Sequence, residues 1–203
     1  MVVGVARSCP LFTKMADCLE PLSSDTLLAL KTLGVGAVGR YLETLTATER
    51  DLVFAAGLPI LPLTEAPLGA LSATLGSELA TSHLSLASAL GVPTTVHLMS
   101  DFEAQSGDAE GYDRALTSAL AQAGYVPLAY IGAGQTLTGH ELFELPDVHI
   151  YWRGGSLGIA EPDCGFAIWQ IPPLDQVLAG TRIDVSLTGA DVRGRSPVLW
   201  YPD

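Results

Sequence analysis

The chain has 203 residues, of which 48% are hydrophobic and 16% charged. This composition is too apolar for a disordered chain and predicts one domain with a well-buried core. The net charge of −12 argues against nucleic acid as a partner, since binding to phosphates requires clustered Lys and Arg. It also provides no attraction to anionic membranes or cell walls. No apolar run reaches the roughly 18 residues that cross a bilayer, so we expect no membrane insertion.

The N-terminal segment and the cysteines indicate the compartment. A basic stretch followed by an apolar stretch would predict a secretory signal peptide, and neither is visible in MVVGVARSCPLFTK. We therefore expect the protein to be cytoplasmic on synthesis. Cys9, Cys18 and Cys164 are too few and too scattered for a disulfide framework or a zinc site. They are interpreted as reduced, buried thiols, with a single disulfide and one leftover thiol as the alternative.

Four helices are predicted from capping residues, leucine spacing and terminal glycines. Ser23 to Asp25 precede the first helix, and Thr46 to Glu49 open the second. The four predicted segments are TLLALKTLG ending at Gly34, TERDLVFAAG ending at Gly57, roughly 70 to 90 before Gly91, and 109 to 123 before Gly124.

Eight short apolar or β-branched segments, alternating with these helices, are predicted strands. They are a short segment near 13–17, VGAVGRYL, LPILPL, TTVHLMSDFEA, VPLAYIGA, VHIYWRG, GFAIWQI and TRIDVSL. Alternation of this kind is typical of parallel βαβ units, and eight units close a (β/α)8 TIM-like barrel of the α/β class.

The C-terminal third leaves little room for full helices, so we expect the barrel to be shortened or irregular there. An open parallel sheet is the alternative. Residues 1–203 are assigned to one domain, with 1–11 as an N-terminal arm and 188–203 as a loop-like C-terminal tail. Within that tail, Trp200 and Tyr201 are expected to pack back on the barrel or on a neighbour.

Acidic residues follow or lie within several predicted strands. They are Asp17, Glu65, Asp101, Glu103 and Asp184. In a parallel barrel the chemistry takes place at the carboxyl ends of the strands, so these acids are candidate site residues.

The pair Asp101 and Glu103 is the sharpest signal. Side chains two apart on a strand point to the same side, so both carboxylates can face one pocket. Two close carboxylates push their pKa values apart, which leaves one protonated and one ionised, as glycosidic bond cleavage requires. The alternative without a catalytic role is that DFEAQSGDAEG is only a loop that leads into a helix N-cap, since a lone D-x-E pattern is weak evidence for an active site.

Aromatic side chains occur near the same strand ends. Sugar-binding clefts use such rings for stacking, although large aromatics near a barrel mouth also serve as core filling. We assign substrate binding to Tyr41, Tyr130, Tyr151 and Trp169, together with Glu65. No pair of histidines has the spacing of metal ligands, and His97 is interpreted as a buried, hydrogen-bonded core residue. No phosphate loop or nucleophile elbow is visible, so no metal and no cofactor are expected.

Eight short motifs, taken in order, resemble a known family. They are MADC, VGRYL, AGLPILPL, LMSDFEA, AYIG, IYW, AIWQ and IDVS, between roughly residues 12 and 190. Their order and spacing resemble the glycoside-hydrolase-like domain of unknown function 1906, a family related to lysozyme-type (family 25) glycoside hydrolases.

The resemblance implies a (β/α) barrel that acts on glycans such as peptidoglycan. It also implies that Glu103 is the general acid, with Asp17, Asp101 and Asp184 as substrate-positioning, charge-stabilising or nucleophilic groups. Ser186 stands where the family often has a second acid on the eighth strand. The expected function is a lysozyme-like hydrolase with a polysaccharide substrate, acting as a phage lysin or tail-associated protein, virion-associated or released to the cell wall. The alternative is a non-catalytic carbohydrate-binding or assembly module that contacts other virion or cell-wall proteins.

Overall fold

The computed structural model describes residues 4–65, 69–156 and 158–203. Its strands are β1 (Val5–Ser8), β2 (Lys14–Cys18), β3 (Ala37–Tyr41), β4 (Ile60–Leu63), β5 (His97–Phe102), β6 (Val126–Ile131), β7 (Ile150–Arg153), β8 (Ile168–Gln170), β9 (Gln176–Leu178), β10 (Thr181–Thr188) and β11 (Val198–Tyr201). Its helices are α1 (Ser24–Thr32), α2 (Ala47–Ala55), α3 (Ala73–Leu90), α4 (Ala109–Gln122) and α5 (Gly139–Phe143).

Eight strands form a closed barrel, which confirms the predicted fold class. Strands β2 to β8 pair in chain order and in parallel, and β10 pairs with both β8 and β2. All eight predicted strands occur, but β10 is antiparallel to both neighbours, so the expectation of a wholly parallel barrel is wrong. Residues 171–180 hold only the short β9, whereas a parallel return requires a crossover of a dozen or more residues.

The four predicted helices occur with their caps. The side chains of Ser23, Thr46, Ser72 and Asp108 each accept a hydrogen bond from a backbone N–H of the first turn. Helix α5 was not predicted, because its five residues are too few to show helical periodicity. Among the described residues, no helix is both long and apolar enough to span a bilayer.

Side chains alternate between the inside of the barrel and the layer beneath the helices. The interior cluster includes Met15, Leu61, Met99, Leu128, Ile150, Trp152 and Ile168. Their strand neighbours, such as Ala16, Ile60 and Leu98, pack outward against α1 to α4. This alternation determines which residues can reach the mouth of the barrel.

The two ends of the described chain meet at the end of the barrel where the parallel strands begin. Strand β1 pairs antiparallel with β11, and β11 contacts β4 through Trp200 opposite Ile60. Trp200 is fully buried and meets Phe54 edge-on at 5.0 Å between ring centroids. Residues 198–201 are therefore a paired strand, not the loop predicted for the tail, although Trp200 packs back on the barrel as expected.

Candidate active site

The four acids named from the sequence lie on three barrel strands. Asp17 is on β2, Asp101 is on β5 with Glu103 just beyond it, and Asp184 is on β10. Asp184 stands directly opposite Asp17 in the antiparallel β2–β10 register. Directly opposed residues place their Cβ atoms roughly 5 Å apart on one face, so these two carboxyl groups are neighbours.

The two carboxyl groups of the Asp17–Asp184 pair differ in how strongly their pKa is raised. Burial raises the pKa of Asp17 well above its usual value, and the charge of Asp184 raises it further. Burial also raises the pKa of Asp184, but the backbone N–H of Asp175 donates to its Oδ1 at 2.6 Å and opposes this rise. The Gln170 amide donates to its Oδ2 at 2.9 Å. Asp184 is therefore the partner that ionises first.

Asp101 and Glu103 form the second acidic pair. Burial raises the pKa of Asp101 well above its usual value, and the charges of Glu103 and Glu65 raise it further. Burial also raises the pKa of the half-buried Glu103. Glu103 lies against Gly132, because a Cβ built on that glycine would come within 2.5 Å of the Glu103 Cβ. Glu103 thus has the environment of an acid that keeps its proton to a higher pH than an exposed glutamate does.

Tyr41 and Tyr130 lie between the two acidic pairs. Burial raises the pKa of both phenols, and nearby carboxylates raise it further. Asp17, Asp101 and Glu103 contribute to the shift of both tyrosines. Acids from β2 and β5 therefore share one interior with these two rings. The Tyr130 ring also meets Trp152 edge-on, with centroids 5.3 Å apart.

Gln170 connects the two sides of the site and was not predicted. Its Oε1 accepts from the Tyr130 hydroxyl at 3.0 Å and from the Gly155 N–H at 2.8 Å, while its Nε2 donates to Asp184. Two donors on Oε1 set the orientation of the amide, so Nε2 faces the carboxylate. Strand alternation could have indicated its role, because it places Gln170 on the same side of β8 as Ile168, which faces the barrel interior.

Of the four acids, Asp17 and Asp184 open onto a cleft of about 200 Å³ at the mouth of the barrel. It is lined by Asp17, Cys18, Leu19, Glu20, Tyr41, Asp175, Arg182, Ile183 and Asp184. Four carboxylates therefore face one guanidinium in this lining. Arg182 is exposed, and its Nε lies 3.9 Å from Asp175 Oδ1.

A buried ion pair supports the β2 side of the site. Arg40 is fully buried, and its Nε donates to Glu49 Oε1 at 2.7 Å. Its guanidinium also donates to the Cys18 carbonyl, and Glu49 Oε1 accepts from the Leu22 N–H at 2.9 Å. This pair holds the segment that follows Asp17.

A second buried contact supports the β5 side. The Gln105 amide donates to both Asp113 carboxylate oxygens, at 2.8 and 2.9 Å. Both side chains are buried, and burial raises the pKa of Asp113 to about 7. Since Gln105 is two residues after Glu103, α4 is tied to the loop that carries the candidate acid.

Three of the predicted substrate-binding residues lie outside this cluster. Tyr151 is 1% exposed and packs in the outer layer, where its hydroxyl donates to the Leu142 carbonyl. Trp169 points outward on β8, with its ring against Gly189. These two corrections have one cause, because strand alternation turns each side chain away from the interior. Glu65 is exposed at the end of β4, close enough for its charge to act on Asp101.

Two of the histidines, His97 and His149, lie at the opposite end of the barrel. His97 is fully buried, accepts from the Val198 N–H at 2.7 Å and contacts the His149 ring nitrogen at 2.9 Å. Burial, with His149 nearby, lowers the pKa of His97 to about 3. In the part of the chain that the structure describes, no group of His, Cys, Asp and Glu has the geometry to hold a metal ion. Cys9, Cys18 and Cys164 are free, buried thiols.

Comparisons with solved structures show the fold again in bacterial proteins. An uncharacterized B. stearothermophilus protein matches with a TM-score of 0.71 and 19% identity, over 87% of this chain and 95% of its own. The bacterial lysozyme of Streptomyces coelicolor matches with a TM-score of 0.60 and 10% identity, over 90% and 94%. The modular autolysin LytC of Streptococcus pneumoniae matches with a TM-score of 0.58 and 17% identity, over 93% of this chain and 46% of LytC.

No protein-family model matches the chain, and no curated protein sequence matches it either. Identities this low show a shared fold and nothing more about chemistry. This chain therefore has the barrel fold that a bacterial lysozyme and an autolysin also have.

Proposed function

We propose that this protein is a glycan hydrolase of lysozyme-like type that cleaves a glycosidic bond in peptidoglycan. One observation carries the proposal: carboxylates on three strands lie near Tyr130, since Asp17, Asp101, Glu103 and Asp184 all contribute to raising its pKa. Asp17 and Asp184 of this group also line an open cleft together with Tyr41. None of the ion pairs formed by the described residues includes Asp17, Asp101 or Glu103. These three carboxyl groups are thus free to act on a substrate. The fold shared with a lysozyme and an autolysin supports the same reaction class.

The two acidic pairs take different roles in the proposed reaction. Glu103, with its raised pKa, donates its proton to the leaving oxygen as the glycosidic C–O bond breaks and the bonding electrons move to that oxygen. Asp184 ionises before Asp17, and its carboxylate opposes the positive charge that develops at the anomeric carbon. Water then bonds to the anomeric carbon and supplies the hydroxyl of the new reducing end, while its released proton returns to the Glu103 carboxylate. Gln170 keeps the Asp184 carboxylate turned toward the cleft.

The experiment is the release of reducing ends from purified peptidoglycan. Loss of a general acid typically lowers the rate by about 10²–10⁴-fold, and we expect this loss for Glu103→Gln with the fold intact. Glu110→Gln is the matched control, since Glu110 is an exposed residue of α4 that pairs with Arg114. A Glu103→Gln variant with the wild-type rate would remove Glu103 as the acid. A wild-type protein that binds peptidoglycan without releasing reducing ends would instead identify a binding module.

The route to the cell wall is part of the proposal. The family resemblance leads us to expect delivery as a phage lysin, a virion component or a protein released to the wall. Immunodetection of the protein in purified virions and in wall fractions would test this expectation, and its absence from both would leave the enzymatic proposal without a site of action.

A further inference from the structure

Two buried carboxylate oxygens at the site have no partner among the described residues. They are Asp17 Oδ2 and Asp101 Oδ1. The two side chains are 8% and 9% exposed, so more than nine-tenths of each is buried. A buried acceptor without a donor is costly, and the cost is larger when the acceptor is charged. The complementary group is a hydrogen-bond donor that carries positive charge.

The described residues around the cleft supply little positive charge of their own. Arg182 is the single cation among the lining residues, and it already lies beside Asp175. The raised pKa values of Asp17 and Asp101 arise from burial and from neighbouring carboxylates, and a positive charge placed beside them would oppose this rise by stabilising the ionised carboxylates. An anionic ligand would meet repulsion from every carboxylate of the lining.

The shape of the site favours a cationic sugar over a metal ion. Among the described residues, no group of three or more His, Cys, Asp and Glu side chains is arranged to hold a metal ion. The cleft of about 200 Å³ has room for a sugar ring. Tyr41, on the cleft wall, offers an aromatic face of the kind that attracts sugar CH groups and ammonium groups.

We propose that the cleft binds an amino sugar with a free ammonium group, such as a glucosamine unit of a de-N-acetylated glycan. The ammonium group donates to Asp17 Oδ2 in the cleft lining, and a hydroxyl of the sugar chain extends beyond that lining to donate to Asp101 Oδ1. An N-acetylated unit carries one amide N–H and no charge at the same position, so it satisfies Asp17 less well. This inference rests on the proposed function, because it specifies the substrate class of that same site.

The test compares two tetrasaccharides, one of glucosamine and one of N-acetylglucosamine, by calorimetric titration of the Glu103→Gln variant. We expect the Kd for the glucosamine tetrasaccharide to be lower by about tenfold or more, since a charge-assisted hydrogen bond replaces a neutral one. Adding Asp17→Asn should reduce the preference to about twofold or less, and Asp101→Asn in place of Asp17→Asn should weaken binding of both sugars.

A protein with a net charge of −12 attracts any cation, so the control must match charge. Glu78→Gln removes one negative charge from the exposed face of α3, remote from the cleft, and should keep the full preference. If Glu78→Gln loses as much preference as Asp17→Asn, the attraction is general and the proposal fails.

Cleavage of the same two sugars by the wild-type protein separates this inference from the proposed function. Equal or tighter binding of the N-acetylated sugar, with cleavage, refutes the amino-sugar site and leaves the hydrolase standing. Selective binding of the glucosamine sugar without cleavage of either supports the site and refutes the hydrolase. Binding of neither sugar overturns both.

Discussion

Replacing Gly132 by alanine should disable the proposed acid without changing its chemistry. The new Cβ would lie 2.1 Å from Glu103 Oε2 and 2.5 Å from Glu103 Cβ. The carboxyl end of Glu103 can swing away, but its Cβ is fixed to the backbone, so the end of β5 must shift by roughly 1 Å. A misplacement of about 1 Å can cost about 10²-fold in rate, and overpacking of this kind costs about 1–3 kcal/mol of stability.

The assay is the initial rate of reducing-end release from peptidoglycan, measured alongside urea unfolding. Gly36→Ala is the control: its Cβ meets only a Thr13 methyl group at 3.0 Å, at the opposite end of the barrel. We expect Gly36→Ala to keep the wild-type rate within about twofold, because it leaves the geometry of the mouth unchanged. A Gly132→Ala variant with wild-type rate and wild-type stability would show that Glu103 is not held against Gly132, and the assignment of the acid would lose its structural basis.

Two further predictions concern stability. Glu49→Ala leaves Arg40 buried without its partner and should lower the free energy of unfolding by about 3–5 kcal/mol in urea titrations. Glu110→Ala removes one partner of an exposed ion pair and should cost about 0.5 kcal/mol or less. Equal losses for the two variants would contradict the reasoning. Burial raises the pKa of Asp113 from 3.8 to about 7, so its contribution to stability is present below the lower value and is lost as pH rises through the higher one. The amide of Asp113→Asn can pair with Gln105, so this variant should unfold at a higher urea concentration than the wild type at about pH 8 and lose this extra stability near pH 4. Extra stability that grows toward low pH would refute the predicted direction of the pH dependence.

Most of the barrel could be predicted because each strand is a short apolar or β-branched segment between glycines or helix caps. The direction of β10 could not, since it depends on the length of the connection after β8 and not on the residues of β10 itself. Strands β1 and β11 were missed for a related reason. Each has only four residues, and they are stabilised by pairing with each other from opposite ends of the sequence.

The site could be predicted only where a strand end also carries a charge. Asp17 and Asp101 met that condition, and the structure brings them together beside Tyr130. Tyr151 and Trp169 were misplaced because a shift of one residue decides whether a side chain faces inward. The sequence neighbours of Tyr151, Ile150 and Trp152, are also large and apolar, so no alternation of polar and apolar residues shows which side chains of β7 face inward. Gln170 carries no charge, and its role arises from contacts with residues distant in sequence.

The antiparallel closure of the barrel has a consequence for folding. Asp17 and Asp184 meet only when β10 reaches β2, a contact between residues near opposite ends of the chain. Closing so long a loop is entropically costly, and pairing at such sequence separation slows folding. Helices α1 to α4 and the parallel strands between them can form from contacts that are closer in sequence. We therefore expect Asp17 and Asp184 to come together in the final folding step, so that the acidic site is still incomplete in a partly folded chain.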